Sequence, residues 1–291
     1  MNIKTKKNVL TVYIAIAAIA AVLFSAYRVV LLKQYYDPYD MSFELGSGNI
    51  FRMFEYVLLA IAALMYTCTF LFKNTRFQLF SKRTSTTSIS ICAICGAIML
   101  AVAILVVVYH RGEFLNFYNN SFLHRVLFIV ALGLLFISSV YFFICASTQF
   151  ANSDYKAYCS IVLPLFAVFY LGSIYFNADL IFYDSNRITS TIAFISVVFF
   201  LLSEAKVALG QGGHAFHFAA SLACIVCVSA HILPTVFLIS FWEMSLTMYR
   251  VIEFSTLGIL LYASFSAVNS IRTMEEFIAP KTEDQANETQ S

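Results

Sequence analysis

Charge is scarce in this chain. Lysine and arginine supply 18 of its 291 residues and aspartate and glutamate 16, so charged residues make up 12%, against about 25% in an ordinary soluble domain. With a hydrophobic share of 60% and a mean hydropathy of +0.81, that shortage excludes the water-soluble classes. Long polar segments are missing too: the longest are the loop Leu32–Arg52 and the stretch from Arg272 to Ser291, neither of which can hold a soluble catalytic domain. There is no Walker A pattern, no H-E-x-x-H and no G-x-S-x-G, so ATPase, zincin and serine-hydrolase chemistry have no residues to use. The chain reads as a non-enzyme without cofactor, metal or nucleic-acid partner. Its seven cysteines are odd in number and none lies in an outer loop, which leaves a disulfide framework unsupported.

What is present is a series of eight apolar windows of 20 to 23 residues: Val9–Leu31, Met53–Phe72, Ser88–Val108, Val126–Ala146, Ala157–Phe176, Ile188–Val207, Phe218–Ser240 and Val251–Ile271. Only Arg28, Glu55, Glu204, Lys206 and Glu253 of the charged residues fall inside them. Each window matches the roughly 20 residues needed to cross an apolar core about 30 Å thick, where backbone groups must be satisfied internally. The expected fold is all-α: a polytopic integral membrane protein with eight transmembrane helices arranged as four helical hairpins. Residues 1–271 form a single transmembrane domain whose first partner is the lipid bilayer. The tail 272–291 is polar and acidic and is expected to be disordered.

An even number of spans puts both termini on one side. Lys4, Lys6 and Lys7 place that side in the cytoplasm. Ten basic residues then face inward (those three with Lys73, Arg76, Lys82, Arg83, Lys156, Arg272 and Lys281) and six outward (Lys33, Arg52, Arg111, Arg125, Arg187 and Arg250). A signal peptide is the alternative for the first window, but 23 residues exceed the usual h-region and Phe24-Ser25-Ala26 is a poor cleavage site.

Arginine heads every span that returns inward: Arg52, Arg125, Arg187 and Arg250. The second and eighth agree further, since Phe51-Arg52-Met53-Phe54-Glu55-Tyr56 and Tyr249-Arg250-Val251-Ile252-Glu253-Phe254 share one order of residue types. Such spacing fits four hairpins related as parallel repeats. An arginine at a helix N-terminus sits at the unfavourable end of the macrodipole, at a cost of about 0.3–1 kcal/mol when exposed. Compensation is expected from Glu55 and Glu253, one turn on, or from outer headgroups reached by snorkelling. The functional alternative is that the arginines converge, with Arg28, on an anionic ligand.

Ionisable residues at membrane depth are functional candidates by default. Glu55 and Glu253 read as local partners of Arg52 and Arg250, or as a cation or proton site. Glu204 reads as snorkelling at the inner end of the sixth span. His231 lies near the midplane, three residues before Pro234, and reads as a packed neutral imidazole or as a ligand or proton-relay group. His124 is expected at the outer surface and His217 in an inner loop. Cys92/Cys95 and Cys224/Cys227 read as small core residues, with a tetrahedral metal site open only if their helices touch. Ala17, Ala21, Gly96, Gly133, Gly172 and Gly258 are expected at close helix contacts, and Pro164 and Pro234 at kinks.

The order Tyr175-Phe176-Asn177, Ser185-Asn186-Arg187-Ile188 and Ser203-Glu204-Ala205-Lys206 with Leu209-Gly210 resembles a stretch recurring in uncharacterised multi-pass membrane proteins of Firmicutes, notably clostridia. The resemblance covers about an eighth of the chain. It implies the bacterial cytoplasmic membrane and groups Arg187 with Glu204, without implying an activity. The expectation is therefore a transporter-like or small-ligand-binding membrane protein, with Arg52, Glu55, Arg125, Arg187, His231, Arg250 and Glu253 as candidate ligand-binding residues. The alternative is a membrane sensor or assembly partner that contacts another protein.

Overall fold

The computed structural model describes residues 3–37, 42–43, 48–72, 75–83, 85–109, 122–147, 159–177, 185–241 and 247–276. Its helices are α1 (Ile3–Tyr35), α2 (Gly48–Met65) with a short α3 (Cys68–Leu71), α4 (Thr86–Tyr109), α5 (Phe122–Ala146), α6 (Val162–Tyr175), α7 (Ser185–Ala208), α8 (His214–Phe241), α9 (Met248–Glu253) and α10 (Ser255–Arg272). Among the described residues seven helical segments are long and apolar enough to cross a membrane, counting α2 with α3 and α9 with α10 as one segment each. The architecture is that of a multi-pass membrane protein. Large apolar side chains such as Val22, Leu23, Phe70 and Tyr109 point outward, as a lipid-facing surface requires.

The fifth window is the exception, since α6 has only 14 described residues. Its Pro164 stands in the first turn, where a missing N–H costs no hydrogen bond, and a turn at 160–161 interrupts the helical backbone just before it. Pro234 lies inside α8. There the Thr235 hydroxyl donates to the His231 carbonyl at 2.9 Å, adding a bond on the stretch where proline interrupts the ladder.

Helix α8 is the axis of the bundle, packed on α1, α2, α7 and α10. Ala220, Cys224, Val228 and Ile232 recur every four residues and face one core, shared with α4, α5, α6, α7 and α10. Ala219, Leu222, Ala223, Val226, Cys227 and Ala230 face a second core with α1 and α2. Such a run of small residues lets helices close in on two sides. Of the expected hairpin partners, α4 packs on α5, α6 on α7 and α8 on α10, while α7 and α8, which belong to successive hairpins, also pack tightly. The first pair departs, because α1 and α2 meet only lightly and each packs on α8 instead. Hydropathy fixes which segments are helical; side-chain volume decides which of them are neighbours.

At the end where α1 begins, residues 75–83 lie across the bundle. β3 (Thr75–Arg76) pairs antiparallel with β4 (Glu275–Glu276), so the start of the acidic tail is held in place, while the tail beyond 276 lies outside the described residues. At the other end β1 (Tyr36–Asp37) pairs with β2 (Ser42–Phe43).

Of the small residues, Gly96 is the tightest: a Cβ there would stand 3.1 Å from the Ser139 carbonyl and 3.3 Å from Phe142. Gly133 has nothing within 4 Å and faces outward. Gly96→Leu is expected to force α4 and α5 apart at a cost of about 1–3 kcal/mol, whereas Gly133→Leu should stay within about 0.5 kcal/mol. Thermal unfolding of the two variants in the same detergent measures the difference.

Candidate functional site

Polar residues crowd the first turns of α7. Over Ser185-Asn186-Arg187-Ile188-Thr189-Ser190 only Ile188 is apolar, and at 3.6 residues per turn the polar side chains point in every direction around the axis. Thr189 Oγ1 donates to the Ser185 carbonyl of its own helix, and the other four each reach a different neighbour. Ser185 Oγ donates to Glu55 Oε1 of α2 at 2.9 Å. Asn186 Oδ1 accepts from Arg28 Nη2 of α1 at 2.9 Å. Arg187 Nη2 donates to the carbonyls of Ile174 and Tyr175 in α6, both at 2.9 Å. Ser190 Oγ donates to Glu253 Oε1 of α9 at 2.6 Å.

The Arg187 contacts answer the electrostatic problem of an arginine at a helix N-terminus. Its guanidinium sits on the last carbonyls of α6, the negative end of that helix's dipole, where a cation is favoured. His124 of α5 completes the cap, with Nδ1 2.7 Å from the Ser173 carbonyl. A carbonyl can only accept, so Nδ1 carries the proton and Nε2 accepts from the Tyr249 hydroxyl at 2.7 Å. His124 is therefore fully buried. The expectation of a surface histidine fails because the carbonyls at the end of α6 draw it inward.

The second junction joins α7, α8 and α9. His231 Nε2 lies 3.1 Å from Glu253 Oε2, with His231 2% exposed. The contact is at ion-pair distance, and the other ring nitrogen, Nδ1, has no hydrogen-bond partner. Arg250 adds a favourable field at the Glu253 carboxylate. Glu253 thus engages α7 and α8 as well as its own turn. Of the remaining candidates, Arg52 is exposed while Glu55, one turn on, is buried against Ser185. Arg125 is half-buried, with its Nε lacking a hydrogen bond. The structure brings Glu55, Arg187, His231, Arg250 and Glu253 into the layer around the start of α7, and it gives the four helix-heading arginines four different surroundings.

A third cluster went unassigned in the sequence. Glu204 is 2% exposed, not snorkelling: Oε1 accepts from Tyr262 at 2.7 Å and from Ser81 at 3.0 Å, and Oε2 is 3.1 Å from His217 Nε2. His217 is fully buried within α8 instead of lying in a loop. The reversal Leu209–Gly213 makes this possible. Gly210, at φ +74°, takes the left-handed conformation that ends α7, with its N–H on the Val207 carbonyl and that of Gln211 on Lys206. The turn brings α8 straight back along α7, so His217 meets Ser203 and Glu204. The glycine-rich spacing between Glu204 and His217 was the available signal.

The cysteine pairs do not join. Cys95 Sγ donates to the Gly258 carbonyl at 3.1 Å, Cys224 and Cys227 face different cores, and among the described residues no three His, Cys, Asp or Glu side chains form a metal-binding group. Lateral grooves open between helices, the largest described, of about 390 Å³, between α1 and α2 beside Phe24, Tyr27, Met53 and Phe54. Another, of about 340 Å³, is lined by Leu59, Ala62, Tyr66, Ile192, Phe199 and Cys227. A third, of about 330 Å³, lies between α6 and α7 with Arg187 at its edge.

Replacing Arg187 by Met should uncap α6, at a cost of about 1.5–3 kcal/mol for a charged hydrogen bond, and Lys should rescue it only in part because an ammonium lacks the guanidinium fork. Hydrogen exchange across residues 162–177 in nanodiscs reads the effect. No family model, no curated protein and no solved structure matches this chain.

Proposed function

We propose that this chain is a transporter-like protein of the bacterial cytoplasmic membrane, crossing it eight times with both termini inside, that binds a small polar solute in the outer half of the bundle. The Glu253–His231 couple is its central element. One observation carries the reading: a buried imidazole whose Nε2 stands 3.1 Å from a buried carboxylate and whose Nδ1 has no hydrogen-bond partner. Leaving such a nitrogen without a hydrogen bond costs about 1–3 kcal/mol, and polar groups at membrane depth are kept where they handle a solute or a proton. Glu55, Arg187 and Arg250 border the same layer and give it both signs of charge.

In this reading Glu253 accepts from a cationic or hydroxyl group of the solute. His231 supplies a donor or an acceptor according to its protonation. Arg28 and Arg187 hold α1 and α6 in register around the site. A second reading, a sensor or assembly partner without transport, draws support from the dense packing of α8, whose apolar span is 72% buried.

Protein purified in nanodiscs and extracted for mass spectrometry is expected to release a small polar solute. Glu253→Gln or His231→Asn should lower the amount retained about tenfold or more, the loss of a charged hydrogen bond worth about 1.5–3 kcal/mol. A wild type that carries no solute, or one whose solute ignores both substitutions, favours the second reading. The eight crossings are checked separately: reporter fusions at Asn120 and Ser291 should report opposite sides of the membrane.

A further inference from the structure

The two buried glutamate–histidine couples are spaced alike on antiparallel helices. On α7, Ser190 and Glu204 are 14 positions apart; on α8, His217 and His231 are also 14 apart. That is roughly 21 Å along each axis at 1.5 Å per residue. Because the helices run in opposite directions, Ser190 serves the His231–Glu253 couple at one end and Glu204 meets His217 at the other.

Proton counting at the second couple is tightly constrained. Ser203 Oγ gives its one hydrogen to the Phe200 carbonyl at 2.6 Å, so at 3.0 Å from His217 Nδ1 it can only accept. Nδ1 therefore carries a proton. Were His217 neutral and Glu204 ionised, Nε2 would accept from Ser266 Oγ at 3.0 Å and Oε2 would be left without a donor, a bare carboxylate oxygen 3.1 Å from the ring in a fully buried site. Oε1 cannot relieve this, since it is already occupied by Tyr262 and Ser81. A further proton on Nε2 or Oε2 supplies that missing donor, with the couple either imidazolium–carboxylate or imidazole–carboxylic acid. Both forms carry no net charge, and losing the proton leaves a bare negative charge at membrane depth.

We infer that Glu204 and His217 form a second proton-binding site, covered by the strap of residues 75–83. The groups facing it come from every packed element: Ser81 and Lys82 from the strap, Tyr262 and Ser266 from α10, Tyr141 and Cys145 from α5, Cys92 from α4, and His214, with Arg76 beyond it, at the start of α8. The strap is fastened at several points. Arg83 donates to Asn269 Oδ1 at 2.9 Å, Asn269 Nδ2 to the Gln78 carbonyl at 2.6 Å, Gln78 N–H to Thr273 Oγ1 at 3.1 Å and Lys82 Nζ to the Ala208 carbonyl at 3.3 Å. Phe77 lies against the rings of both His214 and His217. Water reaches the shared proton when this strap lifts, so the site exchanges with the face at which α1 begins, whereas the His231 couple lies towards the opposite face. The existence of the proton site does not depend on the transport reading; its use as a step in transport does.

The test is nitrogen NMR on the full-length protein in nanodiscs with labelled histidine, recorded between about pH 5 and 8. His217 is expected to show a protonated Nδ1 and a strongly deshielded proton at Nε2 shared with Glu204. Glu204→Gln should abolish that shared proton and leave a neutral Nδ1–H ring. Tyr262→Phe, a milder change, removes one donor from Oε1 and should move the proton towards the carboxylate. Asn269→Ala should speed its exchange with water several-fold. A wild-type Nε2 without a proton throughout, or a His217 spectrum unchanged by both Glu204→Gln and Tyr262→Phe, overturns the site; an exchange rate indifferent to Asn269→Ala overturns the strap as its cover. These signals are read without any solute, so they are decided independently of solute retention at Glu253 and His231.

Discussion

The structure depends on one constraint: polar groups inside a membrane bundle must find partners within the chain. The first turns of α7 are where that constraint is met most densely. Ser185, Asn186, Arg187 and Ser190 bond to α2, α1, α6 and α9 in turn, so the start of one helix fixes the positions of four others. Apolar packing in lipid has no hydrophobic drive behind it, and such bonds add directional attraction where van der Waals contact alone has little directional preference. The short α6 shows the effect most clearly, since the carbonyls at its end are taken up by Arg187 and His124 from the helices on either side.

The two glutamate–histidine couples differ in a way that bears on chemistry. Around His217, Ser203 and Ser266 hold both ring nitrogens and Tyr262 and Ser81 hold Glu204 Oε1, while Oε2 faces the ring without a hydrogen bond. Such a network rigidifies the place where α7, α8 and α10 meet and fixes where a proton can sit. Around His231 the ring has its carboxylate neighbour at Nε2. The two couples thus differ in the ring: both nitrogens of His217 are held by serine hydroxyls, and the Nδ1 of His231 is held by none. Both lie on α8, so a shift of that helix relative to α7 would be felt at both.

Much of the fold was legible from the sequence. The apolar windows placed the helices, because the length needed to cross an apolar core and the cost of charge inside it leave few alternatives. The short α6 and the weak contact between α1 and α2 were not legible, since hydropathy records the preference of a segment for lipid and says nothing about which neighbour it packs against. The site was legible in part. Glu55, Glu253 and His231 stood out as polar groups at membrane depth, but the i, i+3 pairing expected of Arg52 with Glu55 and of Arg250 with Glu253 considered each helix alone. In the bundle Glu55 also binds Ser185, and Glu253, which keeps the field of Arg250, also binds Ser190, because the burial of both carboxylates puts them within reach of hydroxyls on α7.

His124, His217 and Glu204 mark the boundary between the two kinds of information. All three lie near the ends of apolar windows, where sequence position is compatible with water, and tertiary structure alone turned them inward. For His124 the cause is the uncapped end of α6, and for His217 and Glu204 it is the left-handed turn at Gly210 that folds α8 back along α7. By itself the sequence determined that the chain is a helical membrane protein with its few charges gathered at helix ends, because the transfer energies of side chains and backbone into lipid are local properties. Which charges meet was decided only by the packing of helices distant in sequence, because a carboxylate and an imidazole become a site only at contact distance.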